Sequence, residues 1–185
     1  NNTMEHKSPP HGEKGKHGAT LRLVAWETTR NCNLNCVHCR AAATRGPYSG
    51  EMDTPAALQL LDQIAAVGRP IVILTGGEPL LRSDIFDIAR YGTDLGLRMV
   101  MAPNGTLITD ATARRMVESG IKRISISLDG ASREKHDRFR GVEGAFDSAL
   151  RGIEMAKKAG LEFQINTTIT RTNLAEIPRI QQLAV

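Results

Sequence analysis

Residues 71–75 read IVILT, and the next four, 76–79, read GGEP. The run is too short for a helix, is bounded by Pro70 and a glycine pair, and is apolar throughout, so it fits a strand buried on both faces. Such strands belong to parallel sheets covered by the connecting chain. The flanking sequence has the matching period. Upstream, TPAALQLLDQIAAVG (54–68) reads as a helix with Asp53 or Thr54 as its cap, Pro55 in the first turn and Leu58, Leu61 and Ile64 on one face. Downstream come a helix at about 84–95 closed by Gly96, a strand at 98–102, a helix at 110–119 closed by Gly120 and a strand at 123–128. A helix at 144–159 closed by Gly160 and a strand at 162–169 follow. With LRLVAWE (21–27) as the first strand the βα rhythm occurs five times, and EIPRIQQLAV (176–185) begins another helix. Parallel strands joined by right-handed helical crossovers make a barrel or a doubly wound sheet. The expected fold class is α/β, a partial parallel (β/α) barrel.

Composition excludes several classes. At 185 residues, 41% hydrophobic and 24% charged, the chain can bury one globular core and is neither disordered nor fibrous. It has no apolar run of roughly 18 residues and no apolar leader, so no membrane role and a cytoplasmic location are expected. The net charge of +4 comes from scattered basic residues with only 4% aromatics, which does not predict nucleic-acid binding. Residues 1–19 are polar and Pro/Gly-bearing, the pattern of a flexible tail, and the irregular spacing of His6, His11 and His17 there predicts solvated side chains.

In barrels and doubly wound sheets alike, chemistry gathers where the strands end. The first strand runs into NCNLNCVHC (31–39), whose Cys32, Cys36 and Cys39 are the only cysteines. Three cannot pair completely among themselves, and disulfides rarely persist in a reducing cytosol, so ligation is the better reading than a disulfide framework. A structural zinc or a fully held iron–sulfur cluster takes four protein ligands. The trio therefore fits a four-iron cluster with one iron left open, or a zinc knuckle in which His38 is the fourth ligand. Adjacency of His38 and Cys39 makes that second chelate awkward. At the other strand ends, Gly76 and Gly77 would let a ligand approach the backbone, and Glu78 offers a carboxylate to an ammonium. Ser127 and Asp129 are spaced to face the same side. Asn104 and Asn166 end two further strands, His136 lies in the next connection, and Arg138 and Arg140 in HDRFRG suit carboxylates. Trp26, Met99, Met101 and Met155 fit the core.

The C-x3-C-x2-C spacing after a first strand, with GGEP after the second, resembles the radical S-adenosylmethionine (SAM) superfamily. His38 stands where an aromatic residue is usual. The resemblance implies a barrel of the radical SAM type, a 4Fe-4S cluster on Cys32, Cys36 and Cys39, and SAM as the fourth ligand. It also implies a cofactor site formed by Gly76, Gly77, Glu78, Asn104, Ser127, Asp129, Asn166, Arg138 and Arg140. In such enzymes a reduced cluster cleaves SAM to a deoxyadenosyl radical that takes hydrogen from substrate, and a small flavodoxin- or ferredoxin-type protein is the implied electron donor. The segments RLVAWETTRNCNLNCVHCRAAA (22–43) and RPIVILTGGEPLLRSDIFDIARYGTDLGLRMVMAPNGTLIT (69–109) are similar to the radical SAM proteins of alternative haem biosynthesis. A tetrapyrrole substrate is thereby implied, its carboxylates facing Arg30, Arg40, Arg45, Arg138 and Arg140. The activity expected first is didecarboxysirohaem deacetylase, which makes iron-coproporphyrin. Haem synthase, which turns propionates into vinyls, and a peptide maturase are the alternatives, with a zinc-stabilised binding module outside enzymology. Residues 20–185 are expected to be the core, ending before the last strand and any C-terminal second-cluster domain.

Overall fold

The computed structural model describes residues 20–184 except 44 and 47, so the expected tail and its three histidines lie outside the described residues. The strands are β1 (Leu23–Thr29), β2 (Ile71–Gly76), β3 (Arg98–Met101), β4 (Ile124–Ser127) and β5 (Phe163–Asn166). The helices are α1 (Thr54–Val67), α2 (Ile85–Asp94), α3 (Asp110–Glu118), α4 (Arg133–Arg140), α5 (Ala145–Lys158) and α6 (Ile177–Leu183). All neighbouring strands are parallel and their order is β1-β2-β3-β4-β5. A doubly wound sheet reverses its strand order at a switch point, and this one does not. It is the arc of a barrel.

Alternation along each strand divides the sheet into two faces. Val72 and Leu74, Met99 and Met101, and Ile124 and Ile126 are buried beneath Leu61 and Ile64 of α1, Ile85 and Ile88 of α2, Met116 of α3 and Ala156 of α5. Each fully buried side chain of this kind stabilises the fold by roughly 1.5–3 kcal/mol. Trp26 and Met155 pack partly buried against the same core. The opposite face is different: Ile73, Val100 and Ser125 are only half-buried. IVILT is therefore sealed on one face, because the helices cover the outside of the arc while its inside is the barrel lumen. Among the described residues no helix is long and apolar enough to cross a membrane.

Helix starts follow local chemistry. Asp53 is the cap of α1, its side chain accepting from the Ala56 N–H at 2.9 Å. Thr109 and Thr112 close a reciprocal capping box on α3. Helix α4 was not expected. Ser132 caps it, Gly141 ends it in the left-handed region at φ 70°, and its buried residues are His136, Phe139 and Arg140. Their spacing is helical, yet two of the three are polar, so no apolar period marks the segment. The end of α4 holds the cysteine loop: Asn35 N–H donates to the Arg140 carbonyl and Val37 N–H to the Phe139 carbonyl, both at 3.1 Å. Strand β5 stops at Asn166, three residues before the sequence expectation. Thr167 instead donates its hydroxyl to the Leu128 carbonyl at 2.8 Å, and Thr168 N–H donates to Asp129 Oδ1 at 2.7 Å.

Candidate functional site

The strand ends and the cysteine loop enclose one cavity of about 610 Å³, within the roughly 300–1,000 Å³ typical of small-molecule and cofactor sites. Cys32, Cys36 and Cys39 all line it, together with Gly76, Gly77, Asn104, Ser127, Asn166 and Arg140 from the sequence expectation. Among the described residues each sulfur has one donor. Leu34 N–H reaches Cys32 Sγ at 3.4 Å, Ala43 N–H reaches Cys39 Sγ at 3.3 Å and Arg140 Nη1 reaches Cys36 Sγ at 3.5 Å. Burial pushes the Cys32 thiol up in spite of its N–H partner, and Glu78, Cys36 and Cys39 add to the effect. Iron binding must displace that proton. Among the described residues no three His, Cys, Asp or Glu side chains are gathered to grip a single metal ion. Three sulfurs around one cavity, each with a donor, fit the corners of a four-iron cluster with one iron left for another ligand.

The glycine pair lines the cavity and also admits the protein's own chain. A Cβ on Gly76 would lie 2.2 Å from the Thr29 carbonyl oxygen, and one on Gly77 would lie 2.4 Å from that of Asn31. Gly76 also has φ +135°. The space is filled by the backbone entering the cysteine loop, which accepts from Gly77 N–H at Thr29 O and from Glu78 N–H at Asn31 O, each at 2.7 Å. What approaches the glycines so closely is the protein's own chain, an alignment that GGEP alone does not reveal.

Glu78 also departs from expectation. It is fully buried and does not line the cavity. Its Oε1 accepts from Leu80 N–H at 3.1 Å and its Oε2 from Asn104 N–H at 2.7 Å, so the carboxylate ties the end of β2 to the loop after β3. Burial prevails over those two donors and pushes its pKa up to about 7. Because that value lies above the unfolded 4.5, the contribution is fully present below pH 4.5 and is lost as pH rises through 7. Glu78→Gln removes this dependence. The stability advantage of wild type over the variant should therefore shrink by roughly 3 kcal/mol between pH 4.5 and 7, as read by denaturant unfolding at several pH values. His136, held neutral by burial and by Arg140 with its pKa pushed down to about 4, adds an opposite slope common to both proteins. A difference that stayed constant with pH would contradict the buried-carboxylate account.

Asp129 is buried in an ion pair with Arg140 and is turned away from the cavity, while its N–H donates to His136 Nδ1 at 3.2 Å. Its role here is to hold Arg140, whose buried Nε has no partner among the described residues. Arg138 does not reach the mouth. It is exposed, beside a separate cavity of about 350 Å³ with Val37 and Thr172. Of the other arginines, Arg40 lines the mouth, Arg45 lines a neighbouring cavity, and Arg30 lies over the Tyr48 ring at 5.0 Å. Asn104 donates to Asn33 Oδ1 at 2.8 Å, and Ser127 and Asn166 are register partners on the inner face. His38 lines the cavity and packs on Phe139 with centroids 4.4 Å apart. Sequence reasoning missed Glu27, Thr75 and Thr168, which also line the mouth. Strict alternation from Ala25 would have placed Glu27 on the inner face.

Residues 26–184 match the profile of the Radical SAM superfamily. A protein named AdoMet-dependent heme synthase from Methanosarcina barkeri is 53% identical over 163 residues, which is 88% of this chain and 47% of that protein. The Fe-coproporphyrin III synthase of the same organism is 40% identical over 161 residues, 87% of this chain and 40% of that protein. The chain thus spans less than half the length of these curated relatives. Among solved structures, Streptococcus suis SuiB bound to S-adenosylmethionine superposes with a TM-score of 0.75 at 20% identity, over 89% of this chain and 37% of that one, a likeness of fold. With that profile running through the cysteine loop and all five strands, the chain belongs to the radical SAM superfamily, whose enzymes use a 4Fe-4S cluster and S-adenosylmethionine.

Proposed function

We propose that the protein is a haem synthase of alternative haem biosynthesis, converting propionate side chains of an iron-bearing tetrapyrrole into vinyls. The observation that carries this reading is the identity gap: 53% with the relative named heme synthase against 40% with the Fe-coproporphyrin III synthase of the same organism. It reverses the order expected from the sequence, in which the deacetylase came first.

Once bound, the cluster and SAM supply one-electron chemistry that removes a hydrogen atom from the substrate. Making a vinyl from a propionate also releases carbon dioxide and one electron, so an acceptor is required besides the reductant that starts the reaction. The chain's own residues hold and orient. Cys32, Cys36 and Cys39 would hold the cluster, and the junction of Gly76 and Gly77 with Thr29 and Asn31 fixes their loop against the end of β2. Ser127, Asn104 and Asn166 offer hydrogen bonds to a polar cofactor from the cavity wall. Arg140, oriented by Asp129, presents a guanidinium edge to a carboxylate, and exposed Arg40 suits a substrate carboxylate at the rim. Leu34, Ala41 and Ala43 keep that wall apolar and limit water. A reducing cytoplasm and a small flavodoxin- or ferredoxin-type donor complete the reading.

The test is anaerobic reconstitution followed by incubation with SAM, reductant and, separately, iron-coproporphyrin, didecarboxysirohaem and a maturase precursor peptide. Loss of carbon dioxide from iron-coproporphyrin, followed by mass, is expected. Turnover of didecarboxysirohaem alone would restore the deacetylase, and turnover of the peptide alone would make the protein a maturase.

A further inference from the structure

The three cysteine sulfurs have unlike partners. Cys32 and Cys39 accept from backbone N–H groups of their own loop, those of Leu34 and Ala43, which are neutral donors. Cys36 accepts instead from a charged side chain 104 residues away in sequence, Arg140 Nη1 at 3.5 Å. Arg140 is the last residue of α4 and is buried, with 7% of its surface exposed. Its place is fixed from two directions. Asn35 N–H donates to the Arg140 carbonyl and Val37 N–H to the Phe139 carbonyl, so the residues on either side of Cys36 are tied to the end of α4. A Cβ on Gly141 would lie 2.1 Å from the Asn35 carbonyl oxygen, which leaves that junction no slack. From the side of the sheet, Arg140 Nη2 pairs with Asp129, whose Oδ1 accepts from Thr168 N–H at 2.7 Å.

A cluster that accepts an electron becomes more negative, and charges in a weakly screened, buried wall act on one another strongly. A cationic N–H donor at a ligand sulfur therefore favours the reduced form and raises the potential. Asp129 offsets part of that charge, but it bonds Nη2 and does not line the cavity, whereas Nη1 meets the sulfur. We propose that Arg140 sets the reduction potential of the cluster through its charge-assisted N–H bond to Cys36 Sγ. In the reduction step the oxidised cluster takes one electron from a one-electron reductant. No bond breaks and no proton moves, because the guanidinium is charged in both states. This inference rests on Cys36 being a cluster ligand and is independent of which substrate is modified at the mouth.

The experiment is an anaerobic redox titration, followed by the electron paramagnetic resonance of the reduced cluster, of the reconstituted wild type and three variants. SAM is left out, so that no contact between Arg140 and the cofactor contributes. In Arg140→Met the ratio of reduced to oxidised cluster at a fixed potential should fall roughly tenfold, a midpoint lower by about 59 mV, with iron and sulfide content equal to wild type. Because that variant leaves Asp129 buried without its cation, the double variant Asp129→Asn/Arg140→Met, which leaves neither charge unpaired, should show a fall in the same direction. Arg138→Met removes an exposed guanidinium two residues away, screened by water and salt, and should keep the wild-type midpoint. A wild-type midpoint in a cluster-bearing Arg140 variant would overturn the assignment, as would an equal fall in Arg138→Met. Loss of the cluster from both Arg140 variants would also overturn it, making Arg140 a clamp of the loop and not a determinant of potential. A wild type that takes up no four-iron cluster would overturn the ligand reading on which this rests, and the inference with it.

Discussion

Alanine at any one of Cys32, Cys36 or Cys39 is expected to abolish the iron–sulfur cluster. In the proposed cluster each thiolate would hold its own iron, and the chain has no other cysteine to substitute for a lost one. A two-thiolate loop lacks the ligands to keep a cluster that already leaves one iron to a small molecule. The protein should nevertheless fold, because the main core lies on the outer face of the sheet and includes none of the three cysteines. Iron and sulfide analysis should fall to background in each variant while circular dichroism stays native. A triple-alanine protein that retained iron, sulfide and the reduced-cluster resonance would remove these residues from the site.

The second large effect is expected at the glycine junction. In Gly76→Ala the new methyl must occupy space 2.2 Å from the Thr29 carbonyl oxygen, and the residue must keep φ +135°. Neither the opposing backbone nor the dihedral can yield without breaking the 2.7 Å bonds that join Gly77 to Thr29 and Glu78 to Asn31. Strain of roughly 1–3 kcal/mol and overpacking of a similar size sum to about 2–6 kcal/mol. That is a large part of the 5–15 kcal/mol typical of a domain. Gly68 is the control, since nothing lies within 4 Å of its added Cβ and its φ of 168° is ordinary extended backbone. Gly68→Ala should change stability by no more than about 0.5 kcal/mol. Denaturant midpoints that moved equally in the two variants would contradict the close approach of β2 to the cysteine loop.

Much of the fold was legible because its elements obey simple periods. Leu58, Leu61 and Ile64 marked α1, and the run IVILT marked β2, each within a residue or so of its observed bounds. Helix α4 was hidden because its buried stripe includes His136 and Arg140, which a hydrophobic count does not register. Ser132 before it and Gly141 after it were the available signs. That the three cysteines gather at the strand ends was legible from their spacing after the first strand. The burial of Glu78 was not legible, because a carboxylate beside two glycines looks ligand-facing until the register shift between Glu27 and Thr29 brings the cysteine-loop backbone onto those glycines. Arg138 and Arg140 are two apart on a helix, so they diverge by about 200° and only one can face the mouth. Glu27 escaped notice because it is a lone acid in a strand, and its neighbours across the cavity come from strands far apart in sequence.

The central claim is that three cysteines leave one iron open to a small molecule at the mouth of this barrel. It is tested most directly by electron paramagnetic resonance of the dithionite-reduced, reconstituted protein, recorded with and without SAM. SAM bound to the open iron should alter the resonance of the wild type and leave that of a protein with four-cysteine ligation unchanged. A wild-type signal of full intensity that SAM at saturating concentration did not alter would contradict the account.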